Sequence, residues 1–131
     1  MIGMLKISEA ASLGLHAMKF LAARFSEGPF STETIALELG VSSAHLSKVL
    51  QRLSKHGMVK ATRGPGGGVS LARRPEEVSM LQVYEAIDGP IYAGSCLMGR
   101  EHCEHKECIL GDLINEVNES VRKRLEETKL K

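Results

Sequence analysis

Residues 31–71 read STETIALELGVSSAHLSKVLQRLSKHGMVKATRGPGGGVSL. Ser31 can cap a helix over 32–39, with Glu33 well placed in its first turn and Ile35, Ala36 and Leu39 as its apolar stripe. Gly40 and Val41 then make a tight turn, in which glycine permits a left-handed backbone and Val41 is expected to point inward. Ser42 caps a second helix over 43–55, where Leu46, Val49, Leu50 and Leu53 recur at i, i+3, i+4 and i+7 and complete one apolar face. The other face shows His45, Ser47, Lys48, Gln51, Arg52 and Lys55, and Gly57 closes the element. A strand over 58–62, a turn over 63–68 and a returning strand over 69–72 follow. Helix, glycine turn, helix and glycine-rich hairpin is the order of a winged helix-turn-helix, so the expectation is a mostly α fold carrying a two-stranded β-wing.

Outward from that core, residues 8–26 read as a helix capped by Ser8, with Ala11, Leu15, Met18, Leu21 and Ala22 at helical spacing and Gly28-Pro29 beyond its end. Ser79 caps a helix to about residue 87, with Leu81, Val83, Tyr84 and Ile87 as its apolar contacts, and Gly89-Pro90 stops it. Residues 109–130 carry the longest helical pattern, through Leu110, Leu113, Ile114, Val117, Val121 and Leu125. So long an amphipathic helix on a small domain needs a partner surface, which makes it the candidate dimerisation helix. Two parts are expected: a DNA-binding head over 1–75, and a helix, cysteine loop and dimerisation helix over 76–131.

Composition narrows the classes. Apolar residues are 43% of the 131 and aromatics 4%, so the core must be aliphatic. No apolar run approaches the roughly 18 residues a membrane helix requires, and Met1 to Phe25 holds Glu9 and His16 with no small-residue cleavage site. A cytoplasmic protein without a membrane partner is therefore expected. The net charge of +1 conceals an uneven distribution. From Leu39 to Pro75 there is no Asp or Glu, while Lys48, Arg52, Lys55, Lys60, Arg63, Arg73 and Arg74 all fall there. A polyanion-binding face has this pattern, and so does a solvated face whose acids arrive from elsewhere in the fold.

Only the DNA major groove admits a helix, and the first turn of the second helix would face base edges with its positive dipole end toward phosphate. That turn offers Ser42, Ser43, Ala44, His45, Ser47 and Lys48. Lys48 and Arg52 would position the protein through phosphate, and small hydroxyls permit close approach. Arg63 beside Gly66 and Gly67 suits a narrow minor groove. Capping alone also explains Ser42, and a tight turn alone explains the glycines; the order of the motifs inside the acid-free stretch is what favours DNA.

Three cysteines occur, Cys96, Cys103 and Cys108, spaced x6 and x4. An odd number so close together argues against a disulfide framework. Thiolates suit an iron–sulfur cluster, zinc or redox chemistry. An iron–sulfur cluster of the 2Fe-2S or 4Fe-4S kind needs four ligands, so one position would fall to another group, with His105, His102 and His16 as candidates. No nucleophile setting and no phosphate-cradling loop supports an enzyme.

The run Ala36-x2-Leu39-Gly40-Val41-Ser42, then Leu46-x3-Leu50-x2-Leu53-x3-Gly57-Met58-Val59, then Arg63-Gly64-Pro65-Gly66-Gly67-Gly68 resembles the bacterial winged-helix iron–sulfur regulator family that includes IscR and NsrR. The resemblance covers nearly the whole chain, and the wing is its most specific part. It implies a homodimer joined through the last helix and bound to a palindromic operator, most often as a repressor. By the resemblance, Ser42, Ser47 and Lys48 fall on recognition-helix contacts and Arg63 on the wing contact. The cluster regulator has Glu where Ser47 stands here. Family members commonly space their cysteines x5 and x5; the outer span is kept here and the middle cysteine is displaced by one. His16 lies near where some relatives supply a ligand from the other subunit, and an acidic ligand of others falls on Ser12. The implied function is a transcriptional regulator whose operator affinity follows iron, redox, oxygen or nitric oxide status through the cluster. The alternative is a cluster-free regulator of the same fold, controlled by a metabolic enzyme or by thiol oxidation.

Overall fold

A computed structural model describes residues 7–91, 109 and 112–131. The elements in order are α1 (Glu9–Ala23), α2 (Thr32–Leu39), α3 (Ser43–Lys55), β1 (Val59–Thr62), β2 (Gly68–Leu71), α4 (Met80–Asp88) and α5 (Leu113–Glu127), with 3₁₀ turns at Phe25–Glu27 and Pro75–Glu77. The fold is mostly α, a winged helix-turn-helix followed by a long C-terminal helix.

Local chemistry sets the helix starts. The hydroxyls of Ser8, Ser31, Ser42 and Ser79 each accept from the backbone N–H three residues on, satisfying a donor that no carbonyl of the helix can reach. At Ser79 the cap is reciprocal, since Gln82 Oε1 accepts from the Ser79 N–H at 2.9 Å. Gly40 ends α2 in the left-handed conformation, φ 68° and ψ 37°, with the Val41 N–H donating to the Ala36 carbonyl and the Gly40 N–H to the Leu37 carbonyl. This is a Schellman stop. It turns Val41 outward, contrary to the sequence expectation: Val41 is 36% exposed.

Helix α1 is the centre of the head. Ala11, Leu13, Gly14, Ala17, Met18, Phe20, Leu21 and Ala22 are all buried, because α3 and α4 both pack on it. The expected stripe of α3, Leu46, Val49, Leu50 and Leu53, is buried without exception. Residues on both sides of position 75 share one core, which includes Val78, Val83, Tyr84, Ile87 and Leu130.

The hairpin is antiparallel, with Val59 opposite Leu71, Lys60 opposite Ser70, Ala61 opposite Val69 and Thr62 opposite Gly68. A third backbone segment joins it: Phe30 and Val69 exchange hydrogen bonds of 2.9 and 2.7 Å. A lone hairpin is marginal in water; this one is tied to the segment before α2 and buries Val69 and Leu71.

The C-terminal pattern is shorter as a helix than its sequence suggests. Thr128 Oγ1 donates to the Arg124 carbonyl at 2.6 Å and the chain leaves the helix. The Met80 N–H then donates to the Thr128 carbonyl, and the Leu130 N–H to the Val78 carbonyl, at 2.8 and 3.0 Å. Leu130 is therefore in an extended tail, 1% exposed. The helical pattern expected to run to residue 130 thus stops at Glu127, and its last position is an extended, buried anchor.

Candidate nucleic-acid interface

The N-terminal turn of α3 stands clear of the core. Ser42, Ser43, Ala44, His45 and Lys48 are exposed, and Ser47 is half-buried. Ser42 is a cap first: its Oγ accepts from the His45 N–H at 3.1 Å. Its hydroxyl proton remains available to an external acceptor. Two clefts flank this turn. One, of about 540 Å³, is lined by Glu9, Ser12, Leu13 and His16 of α1 together with Leu39, Val41, Ser42 and His45. The other, of about 350 Å³, lies between Ala10 and the Ala44, His45, Lys48, Val49 and Arg52 side of α3. His45 borders both. The sequence put His45, Lys48 and Arg52 on one helix face; it gave no sign that α1 would supply the opposite wall.

The wing places Arg63, Gly66 and Gly67 at the hairpin tip, in the five-residue connection between β1 and β2. Part of the glycine run is required by the hairpin itself. A Cβ on Gly67 would overlap the Thr62 carbonyl oxygen, and one on Gly68 would overlap the Phe30 backbone. The backbone pairing of Phe30 with Val69 is thus possible only because residue 68 has no side chain.

Electrostatics decides between the two readings of the acid-free stretch. Among the described residues the ion pair present is Arg122–Glu126, within α5 and well exposed. None of Lys48, Arg52, Lys55, Lys60, Arg63, Arg73 and Arg74 is paired with a carboxylate among them. Among the described residues, then, the fold brings no carboxylate within ion-pair distance of these cations. Six of the seven are exposed, and Arg73 is half-buried. Arg52 differs from the rest, since its Nη1 donates to the Ile87 carbonyl at 3.0 Å.

Cys96, Cys103, Cys108, His102 and His105 lie outside the described residues. His16 lies within them, exposed on α1 at the edge of the larger cleft. Its Nδ1 is 2.7 Å from the Ser12 carbonyl. A carbonyl only accepts, so the neutral ring carries its proton on Nδ1 and leaves the Nε2 lone pair for a ligand. Ser12, at the position where the resemblance puts an acidic ligand, lines the same cleft.

A capped recognition helix, a backbone-tied glycine wing and a set of cations without acidic partners among the described residues together define a DNA-binding transcriptional regulator of the winged helix-turn-helix class. The chain belongs to the Rrf2 family, described as iron-dependent transcriptional regulators, whose match runs over residues 7–131. It is 29% identical over 118 residues to the HTH-type transcriptional regulator IscR of Pectobacterium atrosepticum, covering 89% of this chain and 71% of that protein. Among solved structures it is similar to CymR, the global cysteine regulator of B. subtilis, with TM-score 0.81, 31% identity and coverage of 97% of this chain and 94% of that one. IscR of T. potens is similar too, with TM-score 0.75, 28% identity and coverage of 96% and 83%. The chain is accordingly a transcriptional regulator and not an enzyme. No helix of the described residues is long and apolar enough to cross a membrane.

Proposed function

We propose that two copies of this chain, joined through α5, grip a palindromic operator with α3 in the major groove and the wing at the minor groove. The observation that carries this reading is the set of cations from Lys48 to Arg74, mostly exposed and without a carboxylate partner among the described residues. Ser42, Ser43, His45 and Ser47 supply the donors and acceptors at the base edges, and Lys48 anchors phosphate. Arg63 enters the narrow groove while Gly66 and Gly67 let the backbone follow. The half-buried Val117 and Val121, with Leu113 beside them, form the stripe that meets its copy. Two-fold symmetry then sets the two recognition helices about one helical turn of DNA, roughly 34 Å, apart.

We further propose that Cys96, Cys103 and Cys108 hold an iron–sulfur cluster with one exchangeable position. The fit lies in the donor set: three soft thiolates in the sequence, and in the structure an imidazole, His16, whose Nδ1 is engaged by the Ser12 carbonyl, so that Nε2 is the nitrogen turned to a ligand. His105 and His102 are the other candidates for the fourth place. Bound there, a cluster would supply a centre reactive toward iron supply, oxygen, nitric oxide or redox poise. The chain's own part is mechanical: any state that alters α5 acts through differential affinity for DNA, with repression the expected outcome. A second reading, a cluster-free regulator controlled by thiol oxidation or a metabolic enzyme, draws on the similarity to a structure described as a cysteine regulator.

Two measurements test these proposals. Lys48→Ala and Arg63→Ala should each weaken operator binding and reduce the slope of log K against log salt by about 0.9; unchanged slopes would remove these residues from the interface. Anaerobically purified protein should show visible charge-transfer absorption that is lost when the three cysteines become alanine. Colourless protein would favour the cluster-free regulator.

A further inference from the structure

Arg52 stands one turn beyond Lys48 on α3 and, by sequence, belongs with the phosphate-binding cations. The structure gives its guanidinium a different partner. Nη1 donates at 3.0 Å to the carbonyl of Ile87, in the last turn of α4. Carbonyls there lack an acceptor role within their own helix, and the negative end of the helix dipole favours a cation.

The same turn of α4 is held from two further directions. Ser8, the cap of α1, donates its hydroxyl to the Asp88 carboxylate at 2.8 Å and directs its N–H to the same group at 3.4 Å. The Ile87 side chain occupies the room left by the missing Cβ of Gly14, where an alanine would overlap its Cδ1. One helix end therefore fixes both α1 and α3. The opposite end of α4 receives the tail that follows α5, through the Val78 to Met80 backbone.

We propose that Arg52 is a positioning residue for operator recognition, holding α3 at its reading angle through the end of α4 instead of neutralising a phosphate. The inference rests on the DNA-binding reading above. It assigns to a residue of the acid-free stretch a role that its charge alone does not suggest. A misplaced recognition helix loses base readout, which is specific to the operator, and keeps its phosphate attraction, which is common to any duplex.

The test uses the full chain. A duplex operator is first recovered by selection from random sequences with the unaltered protein. That operator and a scrambled duplex of equal composition are then titrated over a salt series with the unaltered, Arg52→Met, Lys48→Met and Gly14→Ala proteins, with folding checked by circular dichroism under each condition. Arg52→Met should lower operator affinity about tenfold, one base pair's worth of readout, with scrambled-duplex affinity and salt slope unchanged. Gly14→Ala, which pushes on Ile87 and alters no charge, should show the same pattern. Lys48→Met should weaken both duplexes and flatten the slope by about 0.9.

If Arg52→Met behaves like Lys48→Met, Arg52 is a phosphate contact and the proposal is wrong. An equal fall on both duplexes at unchanged slope, the mark of lost folded protein, also overturns it, as does unaltered operator binding. If the unaltered protein recovers no operator, the DNA-binding reading itself has failed, an outcome visible before any variant is made.

Discussion

Helices α1, α2 and α3 of the head, and α4 packed on it, each begin at a serine whose hydroxyl accepts from the first turn. Helix α5 begins at Asp112, whose side chain makes no such bond. The head buries Met18, Ile35, Leu46 and Leu53 almost completely; α5 buries Ile114 on one face and leaves Leu113 on the other 47% exposed. The one ion pair among the described residues is on α5, not in the head. The contrast teaches that the head is specified by its own chain, through caps and a shared core. The arm is specified by what it meets: its tail by Val78 to Met80, its outer stripe by a second copy in the reading proposed here.

The contrast would break most visibly at a core leucine. Leu53→Ala should cost about 2–5 kcal/mol in urea unfolding, because the site is closed on every side. Leu113→Ala, on a half-open surface, should stay within about 0.5 kcal/mol for the folded protomer. Equal costs would mean that Leu113 is as enclosed in the protomer as Leu53.

Leu113→Asp sharpens the other half. A carboxylate placed in a protein–protein stripe should weaken self-association by about 2 kcal/mol or more, read by sedimentation, while far-ultraviolet circular dichroism of the head stays unchanged. Retention of the dimer would assign the stripe elsewhere.

A smaller effect separates the helix starts. Ser79→Ala removes the hydroxyl that accepts from Gln82 N–H and should cost about 1 kcal/mol; Asp112→Ala removes no cap bond and should be near neutral. Thermal melts of the two variants compare them directly.

The smallest effect is at Tyr84. Burial, then the carboxylates of Asp88 and Glu85, push its phenol above the usual 10.0. The folded protein holds this proton longer than the unfolded chain. The corresponding stability is therefore complete below the unfolded value and is lost as pH rises through the raised one. Ultraviolet titration should show Tyr84 ionising after an exposed tyrosine, and Tyr84→Phe should blunt the alkaline loss. Ionisation at the ordinary pH would mean that α4 is open to water.

Much of the head was legible because its signals are local. Four serine caps, the Gly40 stop and the i, i+3, i+4, i+7 stripe of α3 each lie within a few residues of what they control. The hairpin strands were found to within a residue for the same reason. What escaped was non-local. Nothing near Phe30 announces its pairing with Val69, and the glycine run looked like groove contact when part of it is room for the Phe30 backbone. Arg52 looked like its neighbour Lys48 because helical periodicity gives a face and not a partner; Ile87 is thirty-five positions away. The helical pattern over 109–130 overruns α5, and Leu130 at its end is a strand-like anchor held by the Val78 carbonyl, a partner fifty-two positions away that spacing does not announce. Of the cluster-binding candidates, the structure speaks to His16, which it places at the cleft beside Ser42 and His45.

The most direct test of the whole account is the affinity of the unaltered protein for its selected operator across a salt series. Binding through cations that have no carboxylate partner among the described residues requires log K to fall linearly with log salt, by about 0.9 for each phosphate engaged, with a slope amounting to several phosphates. Affinity that ignores salt, or no attachment to duplex DNA at any ionic strength, would contradict it.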